Sequence, residues 1–286
     1  MEFIQPMLAV DYSKTKHKKY KEFIAQPKYD GVRAVFHDGV LQTRYGNIYE
    51  GVPEVLETLS DLDTLGFPID GELYSDELDF DTISGICRRK SSNLSEQRKL
   101  VHFQAFDVIN KTKSYQNRLN FLLSRFETSK YYRRPSGILI NHDYEEVKRL
   151  LNVLLTDGYE GVILRDPDSL YEHKRSPSLL RWKPFDKDIF SVMEIAEEVS
   201  IHGRPKRRCG AIICGNKETK MFSAGGLDDI LKDKIWANPN YYIGKLVVIK
   251  FQKRTKKGSL RSPNFVKFVE DEELERTMLE KGSLIE

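Results

Sequence analysis

Lys28-Tyr29-Asp30-Gly31-Val32-Arg33 stands between two runs that read as β-strands. Phe23-Ile24-Ala25 leads into it, and Ala34-Val35-Phe36 leads away toward a His37-Asp38-Gly39 turn. The hexapeptide joins four unlike capabilities. Lysine carries an amine nucleophile and aspartate an acceptor, glycine lets a ligand or backbone approach closely, and arginine presents a rigid fork that suits phosphate. Taken alone it fits a hairpin entry with surface charges equally well, because short motifs recur by chance. The remainder of the chain decides between the two.

With 286 residues, the chain is long enough for sizeable cores and two domains. Hydrophobic residues at 40% and charged residues at 31% are ordinary for a soluble protein. The net charge of +3 is small, but it is unevenly placed: residues 187–286 hold 19 Lys and Arg against 15 Asp and Glu, so the surplus lies there. An acidic run, Glu270-Asp271-Glu272-Glu273, sits in the same region. Cys87, Cys209 and Cys214 form no paired framework, which points to a reducing compartment. The opening Met1-Glu2-Phe3-Ile4-Gln5-Pro6 lacks a signal pattern, and no apolar run reaches membrane-spanning length. The expectation is an intracellular protein with no signal peptide and no membrane partner.

From residue 23 to about 110 short strands are expected between turn signals, including Val40–Arg44, Pro68–Leu73 and the alternating Val101–Ile109. Two stretches read as helices. In Arg118–Phe126, Leu119, Leu122, Leu123 and Phe126 share one face; in Tyr144–Thr156, Val147, Leu150, Leu151 and Leu154 do. Asp143 is placed to cap the second, with Glu145 and Glu146 in its first turn. Strands resume at Val162–Leu164 and Leu179–Trp182 before Pro184 breaks the chain. Beyond it, Ile189–Ile195, Ala211–Cys214, Lys220–Ser223, Lys245–Phe251 and Phe265–Val269 suit a small closed barrel. The texture predicts domains at 1–186 and 187–286.

Partners for Lys28 follow in order. Thr43-Arg44-Tyr45-Gly46 ends a strand, Asp70-Gly71-Glu72 lies on an apolar one, and Phe106-Asp107 closes the alternating run. Glu160-Gly161-Val162-Ile163-Leu164-Arg165 is another charged strand entry. In Leu179-Leu180-Arg181-Trp182-Lys183 the two cations are two apart and so face one side of a strand. Arg261-Ser262-Pro263-Asn264-Phe265 comes near the end of the barrel. Singly, each piece has a plain reading: Phe106 as core, Glu72 or Glu160 as a strand-edge carboxylate, Arg181 and Lys183 as a solvated face. Their order and separations together are hard to ascribe to chance.

In that order the chain resembles the covalent nucleotidyltransferases, and within them the small ATP-dependent DNA ligases, from Pro6-Met7-Leu8-Ala9 through Phe265. The resemblance implies an α+β fold: a nucleotidyltransferase domain of antiparallel sheets with helices, ATP-grasp-like, followed by an OB-fold β-barrel. It implies sealing of nicked duplex DNA through lysyl-AMP, by a monomer. Lys28 is then the nucleophile, which must shed its proton with help from neighbouring cations and burial. Gln26, Lys28, Arg33, Glu72, Phe106, Arg181 and Lys183 bind ATP or AMP, with Glu72 on the ribose and Phe106 on adenine. Asp30 serves mainly the strand-joining step, and Arg33 holds the nucleotide or the nick sugar-phosphate. Arg44 grips the 5′-phosphate of the nick. Glu160, with Glu72 as a second candidate, holds Mg²⁺ or Mn²⁺. Arg261 orients pyrophosphate when the domains close.

Two departures stand out. Arg181 occupies a position where the family usually has lysine. The barrel region that carries a long DNA-clasping insertion in some viral relatives is short here, Val199–Arg208. The chain therefore resembles a latchless ligase that grips duplex through basic loops: Arg204, Lys206, Arg207 and Arg208, and Lys253, Arg254, Lys256 and Lys257. The Lys14–Lys21 run is a weaker candidate. The minimal build places the protein in the cytoplasm of a bacterium or a virus-infected cell. An RNA ligase or mRNA capping guanylyltransferase remains an alternative, since Arg181-Trp182-Lys183-Pro184 has a capping-like look. A non-catalytic OB-fold nucleic-acid binder is a third reading.

Overall fold

The computed structural model describes residues 3–12, 20–60, 66–216, 219–254 and 258–269. Lys14, Lys16, Lys18, Lys19, His17, Lys256, Lys257 and the acidic run from Glu270 lie outside the described residues. The chain divides into two units, Met1–Lys183 and Pro184–Glu286.

In the first unit the elements run β1 (Leu8–Asp11), β2 (Glu22–Lys28), β3 (Val32–His37), β4 (Val40–Thr43), α1 (Pro53–Ser60), β5 (Ile69–Tyr74) and α2 (Phe80–Cys87). They continue with β6 (His102–Val108), α3 (Tyr115–Arg125), β7 (Tyr132–Arg133), β8 (Ile138–Asn141), α4 (Tyr144–Thr156), β9 (Gly161–Arg165) and β10 (Arg175–Trp182). They build two sheets, ordered β1-β10-β9-β2-β8 and β4-β3-β5-β6-β7. Consecutive strands β2 and β3 belong to different sheets, so the Tyr29-Asp30-Gly31 link crosses from one to the other. Gly31 is required there, because a Cβ would lie 2.3 Å from the Leu73 carbonyl oxygen.

Register carries the sequence motifs to one place. Lys28 pairs with Gly161 in the first sheet, and Arg33 pairs with Glu72 in the second. Gly161 leaves room for the neighbouring strand, since a Cβ on it would meet the Trp182 carbonyl oxygen at 2.2 Å. Apolar faces fix these registers. Val147, Leu151 and Leu154 of α4 pack on Phe23, Ala25, Val162 and Leu164 of the first sheet. Val55 and Leu59 of α1 and Ile83 and Ile86 of α2 pack on Ala34, Ile69 and Phe103 of the second. Each such side chain stabilises by about 1.5–3 kcal/mol, and a one-residue slip would expose the whole set.

Helix α4 spans the predicted Tyr144–Thr156, and Asp143 accepts from the Glu146 N–H at 2.8 Å. Helices α1 and α2 fall where the sequence reading expects short strands separated by turns. Each is about two turns long and stabilised by packing, with Pro53 starting α1 and Asp79 capping α2 at 3.0 Å from the Thr82 nitrogen.

The second unit comprises β11 (Asp186–Val199), β12 (Pro205–Gly215), β13 (Phe222–Ala224), α5 (Asp229–Ala237), α6 (Pro239–Tyr242), β14 (Leu246–Phe251) and β15 (Asn264–Phe268). Its sheet runs β13-β12-β11-β14-β15, and a bridge from Gly225 to Asn264 joins the two edges. Such closure removes the exposed edges an open sheet would leave. Phe190, Ile212, Cys214, Val247, Ile249 and Ile235 fill its core. Helix α5, capped by Asp228, was not among the expected elements.

Candidate active site

The two sheets of the first unit flank a cleft whose empty space, including its open mouth, is about 940 Å³, the size of a small-molecule site. Gln26, Lys28, Arg33, Arg44, Glu72, Phe106 and Arg181 all line it. The structure thus brings together residues that the sequence spreads over more than 150 positions.

Of the expected site residues, Glu160 and Lys183 do not line the cleft, but they meet Lys28 beside it as a carboxylate between two ammonium groups. Lys28, at the end of β2, donates to Glu160 Oε2, and Lys183, just beyond β10, donates to Glu160 Oε1 at 2.9 Å. The Glu160 N–H donates to the Lys28 carbonyl at 2.9 Å, which locks the backbone beneath the pair. Burial alone would raise the Glu160 pKa, but the two lysines outweigh it and hold the carboxyl at about 2. Burial pushes Lys183 below the ordinary lysine value; Glu160 opposes this, and the charges of Lys28 and Arg181 reinforce it.

Arg33 is held more firmly than its motif suggests. Its Nε donates to Asp70 Oδ1 at 2.6 Å, and its Nη2 donates to Asp70 Oδ2 at 2.5 Å and to the Met7 carbonyl at 3.1 Å. Asp70 is fully buried and also accepts from the Tyr171 hydroxyl at 2.7 Å, while that hydroxyl accepts from the Met7 N–H at 2.9 Å. Burial would weaken the Arg33 charge, yet Asp70 reverses that and the guanidinium pKa rises. The same guanidinium lies 4.9 Å from the Phe106 ring centroid. Motif reading quoted Asp70 and gave it no task; Tyr171 carried no signal at all.

Glu72 faces the cleft beside these groups. Burial lifts its pKa to about 7, although Lys28 and Arg33 pull the other way. Behind Phe106, buried Asp107 accepts from Arg118 at 2.7 and 3.0 Å and from Arg165 at 2.8 Å, and the Tyr115 hydroxyl donates to the Phe106 carbonyl at 3.2 Å. This cluster fixes the backbone that carries Phe106.

Arg181 reaches Asp11 Oδ1 at 2.8 Å, and Gln26 donates to the Ser136 carbonyl at 2.7 Å. Arg44 is exposed, with its guanidinium 4.5 Å above the Tyr45 ring. Asp30 stands in the link between the sheets. Arg261 lies in the second unit, where its N–H donates to the Lys253 carbonyl at 3.0 Å. Of the candidate DNA contacts there, Lys206 pairs with Glu198 at 2.6 Å, Arg208 with Asp229 and Asp233 at 3.1 Å each, and Arg254 with Asp188 at 2.5 Å. Arg204, Arg207 and Lys253 are exposed.

A lysine, several arginines and an aromatic side chain thus share one cleft. Residues 6–183 match the model of the ATP dependent DNA ligase domain and residues 202–268 that of the DNA ligase OB-like domain, so the chain belongs to the ATP-dependent DNA ligase family. It is 25% identical over 258 residues to the DNA ligase of Methanosphaera stadtmanae, covering 80% of this chain and 45% of that protein. It is 26% identical over 239 residues to the DNA ligase of Haemophilus influenzae, covering 84% of each. The chain spans 62% of the DNA ligase of Enterobacteria phage T4, at 26% identity over 84% of its own length. In fold it is similar to Lig E DNA ligases described as binding DNA with a minimal scaffold, at a TM-score of 0.75 and 23% identity over 94% of this chain and all of that one. Pmar-Lig gives a TM-score of 0.77 at 22% identity, over 94% of this chain and 68% of its own. Among the described residues no helix is long and apolar enough to cross a membrane.

Proposed function

We propose that this chain seals nicks in duplex DNA, using ATP as the donor of AMP. The observation that carries the reading is the Lys28–Glu160–Lys183 cluster, whose Lys28 lines the cleft. In the first step the Lys28 Nζ bonds to the α-phosphorus of ATP, its bond to the bridging oxygen breaks, and pyrophosphate leaves. The amine proton leaves to solvent, and Lys183 and Arg181 neutralise charge on the phosphoryl oxygens. In the second step an oxygen of the nick 5′-phosphate displaces Lys28 from phosphorus. In the third the 3′-hydroxyl attacks the activated 5′-phosphate and AMP departs.

The other residues take separate parts. Phe106 stacks on the adenine, with Gln26 beside it, and Glu72 accepts from a ribose hydroxyl once ionised. Arg44 holds the nick 5′-phosphate, and Asp30 serves strand joining. Arg33 is clamped by Asp70, so it offers a fixed charge rather than a swinging arm.

Among the described residues no group of three or more His, Cys, Asp or Glu side chains is arranged to cage a metal. Two carboxylates, Glu160 beside Lys28 and Glu72 on the cleft wall, still suit Mg²⁺ or Mn²⁺, because such ions are commonly held by one or two carboxylates together with substrate phosphates. Glu160 would hold it, with Glu72 as the second donor; when bound, it neutralises phosphate oxygens and polarises phosphorus.

The test is a sealing assay with ATP and Mg²⁺ on 5′-phosphorylated nicked DNA, beside the same nick in RNA and beside labelling by GTP. Sealing of the DNA nick with ATP is expected. Sealing of RNA only, or labelling by GTP only, would replace this reading with the RNA-ligase or capping one.

A further inference from the structure

The four cations of the β11–β12 hairpin, alike in sequence, divide into two kinds in space. Lys206 and Arg208 point to acids of their own unit: Glu198 takes Lys206 at 2.6 Å, and Asp229 and Asp233 take Arg208 at 3.1 Å. Glu198 also takes Lys232 at 3.2 Å and lies 3.9 Å from Arg208. Among the described residues neither Arg204 nor Arg207 has an ion pair or a side-chain hydrogen bond, and both are exposed. Between β11 and β12 the apex places Ile201 in open solvent at 96% exposure, the highest of the large apolar residues among those described.

The apex is built rather than loose. Ser200 N–H donates to the Arg204 carbonyl at 2.8 Å, Gly203 N–H to the Ser200 carbonyl at 2.9 Å, and Arg204 N–H to Ser200 Oγ at 3.0 Å. Arg207 stands at φ 54°, a backbone conformation uncommon for such a residue, opposite irregular pairing around Glu197, and its N–H donates to Glu197 Oε1 at 2.9 Å. The fold therefore tolerates a costly backbone position where it re-aims an unpaired arginine. It also leaves an isoleucine bare, where burying it would stabilise.

Resting on the nick-sealing reading, we infer that this apex is a groove probe for duplex DNA, with Ile201 as an apolar wedge between two phosphate-binding arginines, Arg204 and Arg207. An enzyme that must act at any sequence needs contacts blind to base identity. Charge on phosphates and apolar contact in the minor groove both meet that need, because minor-groove edges are degenerate. Lys206 and Arg208 serve the hairpin's attachment to the barrel and leave few counterions to release.

Fluorescence anisotropy of the full chain on a nicked duplex without the 5′-phosphate, from 50 to 200 mM salt, tests this. Each arginine on a phosphate contributes about 0.9 to the slope of log K against log salt. Arg204→Ala with Arg207→Ala should flatten the slope by about 2, while Lys206→Ala, with Lys232 still on Glu198, should leave it unchanged. Ile201→Ala should weaken binding roughly five- to tenfold at every salt concentration with an unaltered slope, and Ile201→Leu should restore it. An unchanged slope in the double variant, or unchanged affinity in Ile201→Ala, overturns the inference. If these variants match a wild type that binds and seals, this inference alone fails; if the wild type binds no duplex and seals nothing, the functional reading fails with it.

Discussion

Lys28 and Glu160, 132 residues apart in the chain, meet as an ion pair where strands β2 and β9 run side by side. The second oxygen of the same carboxylate takes Lys183. One half-buried carboxylate thus holds two cations that would otherwise repel, and it fixes the Lys28 amine at the edge of the cleft.

This arrangement links stability to pH. The folded Glu160 pKa, about 2, lies below the ordinary 4.5. A depressed carboxyl stabilises the fold fully above 4.5 and loses that contribution as pH falls toward 2. The melting temperature of wild type should exceed that of Glu160→Gln at pH 7, and the gap should narrow from pH 4.5 downward. Thermal unfolding of both proteins between pH 7 and pH 3 checks it; a constant gap would show that the carboxylate charge adds no stability.

Asp70 has a different part, holding a half-buried guanidinium and a buried phenol at once. Asp70→Ala leaves Arg33 without its counter-ion and should cost about 3 kcal/mol or more in urea unfolding. Pairing Asp70→Ala with Arg33→Met, which removes the stranded charge, should recover part of that loss.

Arg44 should separate the reaction steps. It sits at the exposed rim on Tyr45, away from the Lys28–Glu160–Lys183 contacts. Arg44→Ala should form lysyl-AMP at close to the wild-type rate and pass AMP to a nicked duplex about 10- to 100-fold more slowly, the worth of charge-assisted hydrogen bonds to a phosphate. Single-turnover assays of the two steps would expose any equal loss in both, which would place Arg44 on ATP instead.

How much of this the sequence made legible depends on how far each interaction reaches. Helix α4 was readable because its apolar stripe and its Asp143 cap are local. Helices α1 and α2 escaped because two turns give too few periodic positions, and tertiary packing rather than propensity holds them. The lining of the cleft was legible as an ordered set of motifs. The Asp70–Tyr171 bond, spanning 101 residues, was not, since nothing local marks a tyrosine as the partner of a distant carboxylate. The division of hairpin cations was hidden for a related reason: two of the acids that claim Arg208 sit on α5, a helix missed in the same reading.

The most direct measurement is intact and peptide mass spectrometry of the chain after incubation with ATP and Mg²⁺. One added AMP localised to Lys28, absent from Lys28→Ala and discharged by nicked duplex DNA, is the predicted result. No adduct on the wild type, or an adduct that persists in Lys28→Ala, would contradict the account.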